Sequence, residues 1–158
     1  MAPMTDLTPA QADLRRHALV ERLLADVLRV PWSQVHQEAE RFDGVISAEV
    51  EERLVDLLGD PGVCPHGNPI PGATTPVDLS GAGPLSDQAI GPAVVVRVLE
   101  ALEDDALAMR ELEAAGLTPG RDLEVVGRDD DGTVLVAGAV ADARLPAAVA
   151  RLVHVRTR

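Results

Sequence analysis

A chain of 158 residues with 46% hydrophobic and 25% charged content can bury a core as one ordinary domain or two small ones; with no apolar run of ~18 residues and no signal-like N-terminus, its default location is the cytoplasm, with no membrane partner. Its net charge of −12 divides evenly between residues 1–72 and 73–158, and arginine is its only strong base, so neither half offers the basic face that nucleic-acid binding needs. Cys64 is the sole cysteine, which excludes an internal disulfide or a cysteine-rich zinc site and leaves His, Asp and Glu to bind any metal.

In chain order, QADLRRHALVERLLADVLR places Leu14, Ala18, Leu19, Leu23, Val27 and Leu28 on one apolar stripe and predicts a helix over about 10–29, stopped by Pro31. Ser33 is placed to cap a second helix over about 33–43. Ser47 is placed to cap a third, AEVEERLVDLL, which ends at Gly59. The expected N-terminal domain is therefore a three-helix unit over 10–60. The Pro- and Gly-dense run 61–91 reads as an extended, solvated linker. Beyond it, over 92–158, VVVRVL, DLEVVGR, DGTVLVAG and LVHVR read as strands, with RDDDGT as a tight turn. One helix, DALAMRELEAAG, opened by Asp104 or Asp105 and closed by Gly116, interrupts them. The fold class is α+β: a helical domain followed by a small SH3-like β-barrel with one interrupting helix.

His17 and Glu21 stand four apart on the first helix, so both side chains leave the same face. His36 and Glu40 repeat that spacing on the second, and Glu40 with Asp43 adds a carboxylate pair. Two antiparallel helices could present this nitrogen and oxygen set to Mn²⁺, Fe²⁺, Co²⁺ or Zn²⁺. The same spacing also describes a solvated surface pair, so each pair alone is weak evidence. Cys64 and His66 in CPHGNPIP lack the third and fourth ligands of a tetrahedral site and read as a turn-forming linker. His154 reads as structural or exposed, and Trp32 and Phe42 as fillers of the helical core or of a dimer seam. With no G-x-S-x-G elbow and no Gly-rich phosphate loop, enzymatic chemistry is not expected.

Taken in order, RRHALVERLLADVL, VHQEAERFDGVISAEVEERLVDLL and PHGNPIPG resemble the metal-binding and dimerisation domain of the diphtheria-toxin-repressor family, over about Leu14 to Gly72. LTPGRDLEVVGRDDDGTVLVAG and RLPAAVARLVHVR resemble the SH3-like domain that these repressors share with the FeoA proteins of ferrous-iron transport. The resemblance implies an ancillary metal site of His17, Glu21 and His36 completed by Glu100 and Glu103. It implies a primary site reduced to Glu40 and Asp43, because the position of its histidine holds Gly44. The implied metal is Fe²⁺ or Mn²⁺, with Zn²⁺ or Co²⁺ accepted in vitro.

The resemblance also implies a homodimer, with Leu23, Val27, Phe42, Val45 and Ile46 as candidates for its seam. The family's N-terminal winged helix-turn-helix is expected to be missing, so that DNA is bound only where a longer product or a partner chain supplies it. The expected function is the metal-sensing, dimerising portion of a transcriptional regulator. Mixed dimers with a complete repressor, or an FeoA-like adaptor role in ferrous transport, are the alternatives.

Overall fold

The computed structural model describes residues 6–158, which divide into two compact units, one ending at Asp78 and the other starting at Leu79. In the first, helix α1 (Pro9–Arg22) begins in a capping box: the Thr8 hydroxyl accepts the Gln11 N–H at 3.2 Å, and the Gln11 side chain accepts the Thr8 N–H at 2.9 Å. Pro9 at the first helical position needs no backbone donor there. The helix runs on as a π-helical stretch, Leu23–Val27, and the chain turns at Arg29, whose φ is 60°.

Helix α2 (Val35–Glu40) does not start at Ser33 as expected. Pro31 is extended, and its carbonyl accepts the Gln34 N–H at 2.8 Å, so a 3-10 turn over Trp32–Gln34 opens the element and encloses Ser33, which is buried. Helix α3 (Ala48–Leu58) has the expected ends. The Ser47 hydroxyl accepts the Val50 N–H at 3.2 Å, and Gly59 closes the helix in the left-handed conformation, φ 75°.

Leu19, Val20, Leu24, Val35, Ala39 and Leu54 form the apolar cluster where the three helices meet. A buried ionic staple lies beside it. Glu51 of α3 accepts from Arg15 Nε at 3.0 Å and from Arg16 Nε at 2.7 Å, and both Arg15 and Glu51 are withdrawn from water.

The expectation of a solvated linker from residue 61 fails over Gly62–Ile70. Cys64, His66, Asn68 and Ile70 are buried, and Ala18, Cys64 and Ile70 form an apolar cluster of their own. The segment is a small hairpin. Val63 bridges Pro69, Gly67 N–H returns to the Cys64 carbonyl at 2.9 Å, and Cys64 N–H bonds the Asn68 carbonyl at 2.8 Å. Gly67, at φ 88°, supplies the left-handed residue that a three-residue loop of this kind needs. Proline and glycine here build a tight turn that packs because side chains satisfy its carbonyls. Arg22 donates to Val63 O and Cys64 O, Trp32 to Pro65 O and Arg15 to Pro71 O.

The second unit is a six-stranded antiparallel sheet in the order β1-β6-β2-β3-β4-β5. Its strands are β1 (Gly83–Pro84), β2 (Gly91–Val98), β3 (Asp122–Arg128), β4 (Val134–Ala137), β5 (Asp142–Leu145) and β6 (Val153–Thr157). Alternation places Ala93, Val95, Leu123, Val125, Val134, Val136, Val153 and Val155 inside. Between β2 and β3 lie two helices where one was expected: α4 (Glu100–Glu103) and α5 (Ala106–Ala115). Asp105 separates them, its carboxylate accepting the Ala108 N–H at 3.0 Å. A short α6 (Ala147–Ala150) precedes β6. A Cβ on Gly138 would collide with the carbonyl of Ala115, so only glycine lets the β4 to β5 connection pass the end of α5.

Glu51→Ala leaves two guanidinium groups without their carboxylate and is expected to cost about 3–5 kcal/mol in urea unfolding followed by circular dichroism. Glu49→Ala removes only an exposed partner of Arg53, 3.9 Å away, and is expected to cost less than about 1 kcal/mol.

Candidate metal centre

The site is organised around one carboxylate. Glu21 is 1% exposed on the inner face of α1, and its Oε1 lies 3.0 Å from His17 Nε2 and 3.1 Å from His36 Nδ1. The two imidazole nitrogens are themselves 3.1 Å apart. The one-turn spacing of His17 and Glu21 comes from helical periodicity, and packing of α1 against α2 brings in His36. A donor triangle with edges of 3.0 to 3.1 Å is the separation that three ligands at right angles around one ion keep when each bond is ~2.1 Å. The donor set, two imidazoles and a carboxylate, therefore fits a divalent transition metal.

Glu21 has a second side. Its Oε2 lies 3.6 Å from His66 Nδ1, and Glu21, Cys64 and His66 each offer a ligand atom within 4.8 Å of the others. All three residues are buried. Reading Cys64 and His66 as turn formers was sound, but reading them as a pair short of ligands missed Glu21. The signal that could have exposed them is the hairpin itself, because a C-x-H pair in a tight turn directs both side chains to whatever that turn packs against.

The other expected residues fall as follows. Asp43 Oδ1 lies 2.9 Å from His17 Nδ1, and Glu40 Oε1 lies 3.5 Å from His36 Nε2, so each meets the outer nitrogen of an imidazole whose inner nitrogen faces Glu21. Gly44 has φ 74°, a conformation that a histidine at that position would adopt only under strain. Glu100 and Glu103 sit one turn apart on α4 of the second unit, Glu103 buried and Glu100 exposed. Among the seam candidates, Leu23 and Ile46 pack partly onto their own helical core, whereas Val27, Phe42 and Val45 are exposed, as is Leu28.

Residues 8–72 match the family described as iron dependent repressor, metal binding and dimerisation domain, and residues 84–157 match the FeoA domain. The iron-dependent repressor IdeR of Mycobacterium leprae is 37% identical over 160 residues, an alignment that takes in 92% of this chain and 68% of that protein. This chain belongs to the iron-dependent repressor family. The diphtheria toxin repressor of Corynebacterium diphtheriae is similar too, 37% identical over 79% of this chain and 59% of its own length. A solved manganese-dependent transcriptional repressor superposes with a TM-score of 0.79 at 30% identity, covering 98% of this chain and 87% of that one. The relatives are transcriptional repressors, not enzymes. No helix among the described residues is long and apolar enough to cross a membrane.

In this family member His17 and Glu21 hold their charges unusually firmly. Burial works against a charge on His17, yet the hydrogen bonds and negative charges of Glu21 and Asp43 outweigh it and raise its pKa to about 9. Burial likewise opposes ionisation of Glu21, but hydrogen bonds with His17 and His36 outweigh that and hold it well below the usual carboxylate range. Without metal the cluster is thus a proton-bridged network of imidazoles around one carboxylate.

Because the folded pKa of His17 is raised, its contribution to stability is complete below the unfolded value near 6.5 and is lost as pH rises through about 9. Glu21, with its pKa lowered, contributes above its ordinary 4.5 and loses that only in strong acid. The difference in unfolding free energy between wild type and His17→Gln, measured on metal-free protein, is expected to shrink between pH 6.5 and 9. A difference that stays constant across that window refutes the network.

Proposed function

We propose that this chain is the metal-sensing, dimerising portion of an iron- or manganese-dependent transcriptional regulator. The observation that carries the reading is the buried Glu21 carboxylate with three imidazoles and a thiol arranged on its two sides. His17, Glu21 and His36 would hold Fe²⁺ or Mn²⁺, and the likeness to a repressor solved in complex with manganese supports that choice. When bound, the ion supplies positive charge that substitutes for the protons of the network. Glu100 and Glu103, acidic and one turn apart on α4, would be the further carboxylate ligands of this ion. Glu21, Cys64 and His66 form the complementary set, whose thiol favours softer ions such as Zn²⁺ or Co²⁺, and a relative is known with Zn²⁺ bound.

Glu40 and Asp43 take a different part in this reading. Each sits on the outer nitrogen of a ligand imidazole, where a carboxylate orients the ring and raises its basicity. With Gly44 in place of a third ligand, they serve as supports of the first set and hold no second ion.

A homodimer is expected through the apolar side chains that the helical unit leaves exposed, Val27, Phe42 and Val45, with Leu23 and Ile46 supporting them from beneath. DNA contact would require a module outside these residues, because the net charge of −12 gives phosphate no attractive surface. The same charge favours a second reading, in which the chain forms mixed dimers with a complete repressor and lowers its operator affinity.

Isothermal titration with Mn²⁺ is expected to show about one site per chain and proton release, and His17→Ala with His36→Ala together should abolish it. A double variant that binds Mn²⁺ as tightly as wild type would falsify the assignment. Sedimentation at tens of micromolar is expected to give a dimer, and Val45→Glu should shift it towards monomer; a wild-type monomer at that concentration rejects the dimer.

A further inference from the structure

Trp32 touches the Cys64/His66 hairpin in three ways. Its indole N–H donates to the Pro65 carbonyl at 2.8 Å, its own carbonyl lies 3.3 Å from His66 Nε2, and its ring meets the His66 ring edge-on at 61°, with centroids 4.9 Å apart. A carbonyl oxygen can only accept a hydrogen bond, so Nε2 is the nitrogen that carries a proton. Nδ1, 3.6 Å from Glu21 Oε2, is then the nitrogen that can give its lone pair to a cation. Trp32 also opens the 3-10 turn that leads directly into α2, the helix bearing His36. One residue therefore joins the hairpin of the thiol-bearing set to the helix of the imidazole set.

We propose that Trp32 is a positioning residue for the Glu21, Cys64 and His66 cluster: it holds the hairpin by its indole and fixes His66 in the Nε2–H form, so that Nδ1 faces the cation. The proposal rests on the reading of those three residues as a ligand set. Arg22 secures the other arm of the hairpin through Val63 O at 2.7 Å and Cys64 O at 3.3 Å. The carbonyl and the ring of Trp32 are both set against the imidazole and so bear on its orientation. Partners of this kind, which act on a ligand and not on the metal, typically change metal affinity by about 10- to 100-fold.

Cobalt titration of the full chain separates the two ideas. Wild type is expected to develop a thiolate-to-cobalt charge-transfer absorption that Cys64→Ser removes; its absence from wild type would overturn the ligand set itself. Trp32→Phe keeps an aromatic ring but lacks the indole N–H, and is expected to shift the midpoint of that absorption to about 10- to 100-fold higher Co²⁺. An unchanged midpoint overturns the indole's hold on the hairpin, and with it the positioning role of the side chain, while leaving the ligand set standing. Long-range proton–nitrogen NMR on Zn²⁺-loaded wild type needs no substitution, so it decides even if Trp32→Phe folds poorly. It should show His66 protonated at Nε2 with metal at Nδ1, and metal at Nε2 refutes the proposal.

Discussion

A carboxylate 1% exposed must be compensated where it lies, because moving an ion of that size out of water costs several kcal/mol even after the protein relaxes. In this chain the group is Glu21, and its compensation comes from His17 one turn earlier on α1 and His36 on α2, with His66 of the hairpin facing its other oxygen. None of these partners is useful unless its own element is in position. The charge therefore ties the packing of α1 against α2 and the seating of the hairpin to one another. Apolar contact alone would hold the same elements with more tolerance for sliding, since it is non-directional.

The helical unit uses such directional pins repeatedly. Its apolar cluster of six fully buried side chains, three of them on α1 and its π-helical extension, is modest for a unit of this size. Beside it and the smaller Ala18, Cys64 and Ile70 cluster stand contacts that are ionic or involve backbone carbonyls: Arg15 and Arg16 on Glu51, Arg15 on Pro71 O and Arg22 on Val63 O. Arginine suits this work because its planar fork can satisfy two acceptors in fixed directions, which an ammonium group does less well. The hairpin has few intrinsic hydrogen bonds, and it acquires a single conformation because these side chains cap its carbonyls. A metal site built on it is accordingly supported from outside the loop.

Much of this was legible from residue types. Ser47 with Gly59 and Asp105 with Gly116 mark helix ends by side-chain hydrogen bonding and by left-handed backbone, both local effects. Helical spacing pairs His17 with Glu21 and His36 with Glu40, and it was the family resemblance that grouped His17, Glu21 and His36. Ser33 misled because Pro31, two residues earlier, starts the turn first. The hairpin was hidden because proline and glycine density reports turns and says nothing about whether a turn is buried; burial here depends on Arg15, Arg22 and Trp32, which are distant in sequence. Strands β1 and β5 lacked a signal, since Gly-Pro and Asp-Ala-Arg-Leu carry little strand preference and pair only because β6 and β4 present an edge.

The charge balance acquires a structural meaning once the arginines are located. Arg15, Arg16 and Arg22 are turned inward on carboxylates and carbonyls, and in the second unit Arg128 and Arg156 donate to the carbonyls of Leu85 and Ser80. These five arginines serve hydrogen bonds within the chain, while Glu49, Glu52, Asp56, Asp104 and Asp130 remain exposed. With a net charge of −12, the field around the protein is negative. Such a field repels polyanions and raises the local concentration of divalent cations, an effect that weakens as salt screens it. A chain with this distribution is suited to collecting a metal ion and presents nucleic acid with no attractive surface of its own.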